Sequence, residues 1–573
     1  MEFSAKQLIE LYHKTGLISN IKEVKSNEPS NKTLKANIRL EGIISVDNKE
    51  ITLLVEIDNF FPNHKPQYYL NSYDDLGFIP HISHDCIICY MQEEGILMDI
   101  DNIYGIIYDS LNETIRTLEE GYYRKNEIDF VNEFEYYWNE NSCISEKKIY
   151  SLVSLIDEVK KIEFFEIENK IFIADSVDNI VGFFKLDKNK LSEKGIFKKE
   201  AIYIPLKEDA KILPPKYSEF WSREGVSNNI LNNITSDNKQ KLINILNGKN
   251  SHSLLMGMLK QPNGSKAIFG INYSNISNKK FHPLLHPNNY CKVEPLSVTM
   301  RMDKEYILPR GGASTELNKK KVAIIGCGSL GGYIAPELIK SGILNLTLID
   351  HDRLSIDNIY RHFLGHSYLG QFKVSGLKIE IEKNLPYSRV EVLPEKIEQI
   401  IIENKLNFSD FDLVIIATGE PTINFYLNKY FKKNNNLTPV IFTWLEPYGL
   451  GGHALLTNNN RKTGCYHCIY NRLVNKASFA EKDQKFTKSV SGCGSLYTPY
   501  GSSDSIRTAI LTVKLAVDVL IGKEIDNPIL SWKGDNTEFE KEGFKTTSRY
   551  SQTSEELFIN RYNYKNDACK ICK

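Results

Sequence analysis

The sequence predicts a multidomain α/β chain whose C-terminal part carries an open, mostly parallel sheet. Three observations carry this reading. The chain has 573 residues, enough for about three to five domains. Hydrophobic residues make up 41% and charged residues 25%, a globular composition that excludes a wholly disordered, collagen-like or coiled-coil chain. Residues 319–352, KKKVAIIGCGSLGGYIAPELIKSGILNLTLIDHD, read as strand, glycine turn, helix, strand.

Three regions separate by pattern. In the first, residues 1–140, Ala5 to His13 read as a short amphipathic helix and Ile51–Ile57 (ITLLVEI) as a strand. The prolines of FFPNHKPQYYL mark turns. An irregular stretch, Gly77 to Met98, precedes a helix over about Ile103 to Leu118, with Ile103, Ile106, Ile107, Leu111 and Ile115 on one face. The second region, residues 141–317, holds strand candidates (Ile171–Ala174, Ala201–Pro205) between Asn/Ser/Lys-rich turns, with no chemical motif and no repeat. It reads as a folded connecting domain rather than a flexible linker. The third, residues 318–573, alternates strands and helices. Phe411–Ala417 (FDLVIIA) is a further buried strand and Ile506–Ile521 an apolar helix.

Lys+Arg number 71 and Asp+Glu 72, for a net charge of -1. That balance gives no support for gripping nucleic acid by bulk charge, so no direct nucleic-acid partner is expected. No apolar run reaches about 18 residues, so no membrane span is expected. The first residues lack a basic segment followed by an apolar one, so no signal peptide is expected. Ten cysteines, three pairs of them with CxxC spacing, fit cytosolic thiols and a cytoplasmic location better than a disulfide framework.

Gly326, Gly328 and Gly331 form GxGxxG directly after the strand Val322–Ile325. Glycines there let the backbone approach phosphates while the following helix offers its N-terminal amides. The alternative is a turn that only packs helix on strand. Asp350 ends the next strand, where an acid bonds ribose hydroxyls. After it come Asp352, Asn358, Arg361 and Lys373. Hydride transfer needs no such polar set. Cleaving ATP between its α- and β-phosphates does, because charge building on pyrophosphate needs cations and magnesium.

Cys465 and Cys468 (GCYHC) and Cys569 and Cys572 (CKIC) supply four thiolates. Either pair alone could be redox-active or chance; together they suit a closed tetrahedral Zn2+ that staples the C-terminal tail to the last domain. His467 reads as a bystander. Cys493, in SVSGCGSLYTPYGSSD, is flanked by small residues, as in an exposed loop, and could take an acyl group as a thioester. The alternative is a chance loop cysteine. Cys327, inside the glycine turn, reads as a packing residue. Cys89 has His81, His84 and several acids nearby in sequence, which suits an activated thiol. Cys86 and Cys89 leave a Cys/His metal site as the competing reading.

GCGSLG, LIDHD, the NIYR of Asn358–Arg361 and Lys373 after Gly370 closely resemble the ubiquitin-activating and ThiF/MoeB-like adenylating family. The resemblance implies ATP-dependent adenylation of a protein C-terminal carboxylate. By motif matching, Gly326, Gly328 and Gly331 would line the phosphates and Asp350 the ribose. Asp352, Asn358, Arg361 and Lys373 would surround phosphates and Mg2+. The family places an Asp for magnesium after a later strand; here ATGEPT stands, with Gly419 and Glu420. The family also places structural zinc between two such cysteine pairs, and its ubiquitin-activating branch has a catalytic cysteine between them, as Cys493 is here.

The first region resembles a ubiquitin-conjugating domain in its order: helix, meander, a proline turn (Phe61, Pro62, Pro66), flap, helix. CIICY places Cys89 on that family's nucleophile and Cys86 on its glycine. The His-Pro-Asn of the flap is absent, and Pro80-His81-Ile82 stands instead. The family asparagine stabilises the oxyanion; His81 either takes that part or simply packs. The fused order, with WLEPYGLGGHALL (444–456) and the approach VEPLSVTMRMDKEYILPRGG (293–312), resembles the fused enzymes of bacterial CBASS anti-phage operons. That family works as a homodimer, in which Arg310 could reach a neighbouring phosphate site. It joins the C-terminus of a cyclic-oligonucleotide synthase (a cGAS/DncV-like nucleotidyltransferase) to a target lysine and so primes the synthase. The implied relay runs from ATP and the carboxylate to an acyl-adenylate, then to Cys493, then to Cys89, then to an amine.

Three rivals remain at this stage. A sulfur-carrier-type adenylyltransferase shares adenylation and zinc but has no use for Cys89. A nicotinamide oxidoreductase explains neither Arg361 and Lys373 nor the four metal cysteines. A binding scaffold would have kept the folds without the chemistry.

Overall fold

The computed structural model describes residues 3–24, 38–92, 95–141, 147–217, 219–247, 252–433, 437–459, 464–471, 474–489 and 496–572. The chain forms two compact units, residues 1–303 and 304–573.

The first unit opens with helix α1 (Ala5–Thr15). A capping box between Ser4 and Gln7 starts it and Gly16, at φ 70°, ends it. Strands β1 (Ser19–Glu23), β2 (Ile38–Val46), β3 (Lys49–Ile57) and β4 (Gln67–Leu70) form an antiparallel sheet in sequence order. β2 alternates buried and less buried residues, with Leu40, Ile44 and Val46 in the core, as one covered face requires. Helix α2 (Ile103–Tyr122) starts on Asn102, whose side chain accepts the Gly105 N–H. It buries Ile106, Ile107, Leu111 and Leu118 in the same core as Leu8 and Tyr12 of α1.

Two short helices follow, α3 (Asp129–Asn132) and α4 (Phe134–Asn141). They lead into β5 (Lys148–Ser151), β6 (Lys160–Ile167), β7 (Lys170–Ala174), β8 (Lys199–Pro205), β9 (Leu254–Lys260), β10 (Lys266–Ser274) and β11 (Lys292–Arg301). These seven close into a barrel in the order β10-β11-β5-β7-β6-β8-β9, so the ladder leaves no open edge. Helices α5 (Val177–Phe184) and α6 (Lys188–Glu193) separate β7 from β8; α7 (Arg223–Leu231) and α8 (Ser236–Leu246) separate β8 from β9. The α4 helix lies on the barrel. Trp138 is fully buried, packs on Phe134 and Phe269, and donates its indole N–H to the Leu296 carbonyl at 3.2 Å. Glu135 accepts the Ile268 N–H at 2.6 Å. Trp138→Ala is expected to cost about 3–5 kcal/mol in denaturant unfolding of the full chain, the range for emptying a packed aromatic site. A loss under about 1 kcal/mol would mean that α4 and the barrel share no core.

The second unit starts with α9 (Lys304–Arg310) and then winds a sheet. Its elements are β12 (Lys321–Ile325), α10 (Gly331–Lys340), β13 (Asn345–Ile349), α11 (Lys373–Asn384), β14 (Arg389–Leu393), α12 (Ile397–Ile402), β15 (Leu413–Ile416), α13 (Pro421–Lys433), β16 (Val440–Leu445) and β17 (Gly451–Thr457). Two short antiparallel pairs follow, β18 (Tyr470–Asn471) with β19 (Val474–Asn475) and β20 (Lys488–Ser489) with β21 (Leu496–Tyr497). Then come α14 (Ser502–Leu520), β22 (Ile529–Lys533), α15 (Thr537–Lys541), α16 (Ser548–Ser551) and α17 (Ser554–Ile559). The sheet order is β14-β13-β12-β15-β16-β17-β22. The first five strands are parallel and the last two pairings antiparallel. Val322 and Ile324 of β12 face the core under α10, α11 and α14, while Ala323 and Ile325 face the opposite one under α12 and α13. A central strand covered on both faces must be apolar where it is covered, and β12 is from Val322 to Ile325, with only Lys321 exposed at its start. Its neighbours β13 and β15 diverge in chain order, and the C-terminal ends of the strands open the crevice that holds the candidate site. Among the described residues no helix is long and apolar enough to cross a membrane.

Candidate nucleotide, metal and thiol sites

The glycine turn follows from β12. Gly326 has φ 90°, and a Cβ there would lie 2.8 Å from the Ala417 backbone. A Cβ on Gly331 would lie 2.0 Å from the Gly326 carbonyl oxygen, so α10 packs on the turn only without a side chain. Around Gly328 the space is open. The turn borders a cleft of about 250 Å³ lined by Gly326, Gly328, Asp350, Asp352, Lys373 and Glu420, among others.

Asp350 holds the turn in shape. Its carboxylate accepts the Cys327 N–H at 2.7 Å and the Asp352 N–H at 2.8 Å, one on each oxygen, and each oxygen has a second lone pair. Lys373, at the start of α11, is 7% exposed and donates its Nζ to Asp352 at 2.8 Å. Burial pushes the Asp352 carboxyl up, but the Lys373 hydrogen bond and charge outweigh it and hold it below the ordinary value. Asp350, His351 and Asp352 place ligand atoms within 4.8 Å of one another. Hard carboxylate oxygens beside a phosphate-sized space fit Mg2+. Asn358 and Arg361 are outside the cleft lining. Arg361 donates to the Asn358 Oδ1 at 2.9 Å and its guanidinium lies 5.1 Å from the Tyr500 ring. Arg310 stacks on Tyr306 of its own helix at 4.3 Å.

Cys327 is fully buried, and burial pushes its thiol well up, as in a packing residue. Sequence reasoning passed over His362, which is buried, pairs its Nε2 with the Cys327 carbonyl at 2.8 Å and backs Gly332. It also passed over Ser329 and Tyr500, whose hydroxyls meet at 2.9 Å and tie the chain just before α14 to the nucleotide turn. The aromatic and hydroxyl residues of LYTPYGSSD were the available signal. Cys493 itself lies outside the described residues.

The four paired cysteines converge. Sγ–Sγ distances are 3.8 Å for Cys465–Cys468, 3.8 Å for Cys465–Cys569 and 3.4 Å for Cys468–Cys572. A tetrahedron with zinc–sulfur bonds of about 2.3 Å has edges of about 3.8 Å, so the donor set and spacing fit Zn2+. His467 pairs its Nδ1 with the Asn428 amide at 2.7 Å and is not part of this group.

Cys89 is exposed on a flap built from two isolated bridges, Tyr69 with Ile87 and Ile82 with Ile88. Its N–H donates to the His81 carbonyl at 2.8 Å. His81 and Cys86 both have left-handed φ, 65° and 61°, a conformation that costs a non-glycine residue roughly 1–3 kcal/mol. The second value explains why a glycine would suit position 86. The His81 ring lies between acids of α3 and the residue after it, with Nε2 3.1 Å from Asp129 and Nδ1 3.6 Å from Glu133. Its N–H donates to the Tyr137 hydroxyl at 2.7 Å, which donates on to Glu133 at 3.1 Å. Burial raises the Tyr136 phenol, and the charges of Glu140, Cys89, Glu133 and Asp85 push the same way. The barrel side contributes Tyr217, whose hydroxyl donates to the Ile82 carbonyl at 2.7 Å and whose ring packs on Phe78 and Tyr137. Neither α4 nor Tyr217 was legible as part of this site in the sequence. Among the described residues, Cys86 and Cys89 join no group able to hold a metal.

The description of the ThiF family matches residues 307–527, and that of prokaryotic E2 family B matches residues 18–145. All seven barrel strands, residues 148–301, fall between the two matches. A Pseudomonas aeruginosa protein named ATP-dependent ubiquitin transferase-like protein Cap2 is 30% identical over 238 residues, 40% of this chain and 42% of that protein's length. An Escherichia coli protein of the same name is 24% identical over 506 residues, 79% of this chain and 81% of that protein. Among solved structures, a crystal structure of E. coli MccB with MccA-N7isoASN is 18% identical, covers 45% of this chain and 68% of that one, and has a TM-score of 0.33.

Proposed function

From a chain that joins a segment similar to prokaryotic E2 family B to one similar to the ThiF family, we infer an ATP-dependent protein ligase. It activates a protein C-terminal carboxylate, carries the acyl group on cysteine and conjugates it to an amine. The single observation that carries the reading is the cleft that brings Gly326, Gly328, Asp350, Asp352 and Lys373 together in the same chain as the exposed Cys89 flap.

In the first step the carboxylate oxygen attacks the α-phosphorus of ATP and the bond to the β-phosphate oxygen breaks, giving acyl-adenylate and pyrophosphate. The glycine turn and the first amides of α10 receive phosphate oxygens. The buried Lys373 charge offsets charge developing on pyrophosphate, and Asp350 orients the ribose. Asp352 is the residue that would hold Mg2+, which would supply further charge neutralisation there, with Glu420 in the same cleft as a second oxygen donor. In the second step the Cys493 thiolate displaces AMP to form a thioester. In the third the Cys89 thiolate takes the acyl group and Cys493 leaves as thiolate. A lysine amine then attacks the Cys89 thioester carbonyl, the C–S bond breaks and Cys89 leaves as thiolate, while Asp129, Glu133 and His81 would draw in the ammonium and accept its proton.

The proposed organisation is a conjugating domain (1–140), a connecting domain (141–317) and an adenylating domain (318–573), working as a cytoplasmic homodimer. The proposed carrier is the C-terminus of a cyclic-oligonucleotide synthase in CBASS defence. A sulfur-carrier adenylyltransferase has no use for the exposed Cys89 of this flap.

The test is intact mass under non-reducing conditions with ATP, magnesium and the neighbouring synthase. Cys493→Ala is expected to leave no thioester on either cysteine, whereas Cys89→Ala leaves Cys493 charged. The reverse order overturns the relay, and AMP release with no adduct in the wild type favours the sulfur-carrier reading.

A further inference from the structure

The second unit holds another cavity, of about 460 Å³, which shares no lining residue with the nucleotide cleft. Its wall includes Lys476, Arg549, Gln552, Asn560, Asn563 and Lys565, and among the described residues no acid lines it. Two residues of this wall also hold buried polar atoms without a hydrogen-bond partner, the Arg549 Nε donor and the Gln552 Oε1 acceptor. Buried polar groups are normally paired, so two unsatisfied ones in residues beside one cavity mark a place where the folded chain does not itself satisfy its polar groups.

Arg549 is held in place from behind. Its Nη2 donates to Ser531 Oγ at 3.1 Å. Ser531 meets His453 Nδ1 at 2.8 Å, His453 Nε2 meets Glu446 Oε1 at 3.0 Å, and Ser478 donates to Glu446 Oε2 at 3.0 Å. His453 is fully buried and Glu446 nearly so. This chain of bonds anchors the guanidinium to β17, β22 and Glu446, the residue after β16, and spends the Glu446 oxygens on His453 and Ser478. Lys565 is neutralised by Asp526 at 2.8 Å. Lys476 is exposed at the rim. The balance of Lys476, Arg549 and Lys565 against Asp526 and Glu446 is +1. Phe558 and Ile559, 58% and 63% exposed, directly precede Asn560 of the wall. An apolar pair next to a polar, cationic cavity suits a polypeptide better than a free anion.

We propose that this cavity is a docking subsite for an acidic segment of a polypeptide, with a carboxylate against Arg549 and Lys476 and a neighbouring peptide N–H on Gln552. That the polypeptide is the carrier whose C-terminus is adenylated rests on the proposed function; the acidic chemistry of the subsite does not.

The experiment uses the full chain and three fluorescein-labelled twelve-residue peptides alternating glycine with glutamate, glutamine or lysine, read by fluorescence anisotropy. The glutamate peptide is expected to bind about ten-fold tighter than the glutamine peptide, and the lysine peptide weakest. Lys476→Glu, at an exposed position, and Gln552→Leu are each expected to weaken glutamate-peptide binding about five-fold or more. The rise in melting temperature with ATP and magnesium is expected to stay unchanged in both variants, which reports an intact nucleotide cleft. Equal binding of the three peptides, or wild-type binding by both variants, overturns the subsite. Peptide discrimination in a chain that shows no ATP response would leave the subsite standing and sink the adenylating reading instead.

Discussion

Lys373→Met is expected to lower pyrophosphate exchange and AMP formation by about 10²–10³-fold, the usual loss when one preorganised charge partner of a transition state is removed. The reason is where the ammonium sits. Lys373 is 7% exposed, at the first residue of α11, with its Nζ 2.8 Å from Asp352 on the cleft wall. Methionine keeps the length and apolar stem and deletes the charge. It also leaves Asp352 without the partner that holds its carboxyl low. The acid limb of the pH–rate profile is therefore expected to move upward in the variant. The sign for stability follows from the same pair. With the folded-state pKa depressed, the Asp352 contribution is present above the ordinary value of 3.8 and is lost as pH falls through the folded-state value. Asp352→Ala is expected to abolish adenylation as well. Activity within about three-fold of wild type in either variant, with melting temperature kept, would remove the pair from the nucleotide chemistry.

The second large effect is on the zinc cluster. One zinc per chain is expected by metal analysis. Its removal by a strong chelator, or Cys569→Ser, is expected to lower the melting temperature of the second unit by more than about 10 °C. Structural zinc contributes about 10–16 kcal/mol of apparent binding energy in small peptides. Here part of that is offset because the sheet keeps its own core. The remainder is large because Cys569 and Cys572 each lie 104 residues from their partners Cys465 and Cys468, so the ion closes a long loop. Tyr564, packed on the cluster, donates its hydroxyl to the Asn527 carbonyl at 3.1 Å, and loss of the staple frees that contact too. Pure protein without zinc, or a melt that a chelator leaves unchanged, would end the assignment.

The local chemistry of the second unit was legible in the sequence. The apolar β12, the glycines that follow it and Asp350 after β13 are set by near neighbours along the chain, because a strand–turn–helix takes its geometry from short-range sterics. The two CxxC pairs were equally readable, since thiolate spacing within each pair is a local property. Cys89 stood out through its flap motif, and its exposure is a property of that flap.

What the sequence did not contain is anything that depends on residues distant in the chain meeting in space. The strands of residues 148–301 close into a barrel, but alternation along a strand says which face is buried and not which strand comes next. Arg361 stood in the motif ahead of Lys373, but only the fold shows that it bonds Asn358 and lies over Tyr500, whose hydroxyl meets Ser329 of the nucleotide turn. The acids around Cys89 come from α3 and Glu133, about 40 residues downstream, and Tyr217 comes from beyond β8. Sequence by itself determined the adenylating-type turn, the paired cysteines and the candidate thiol. Tertiary structure alone decided which charges face them, because electrostatic partners are chosen by distance through space, where a few ångströms outweigh a hundred residues of chain.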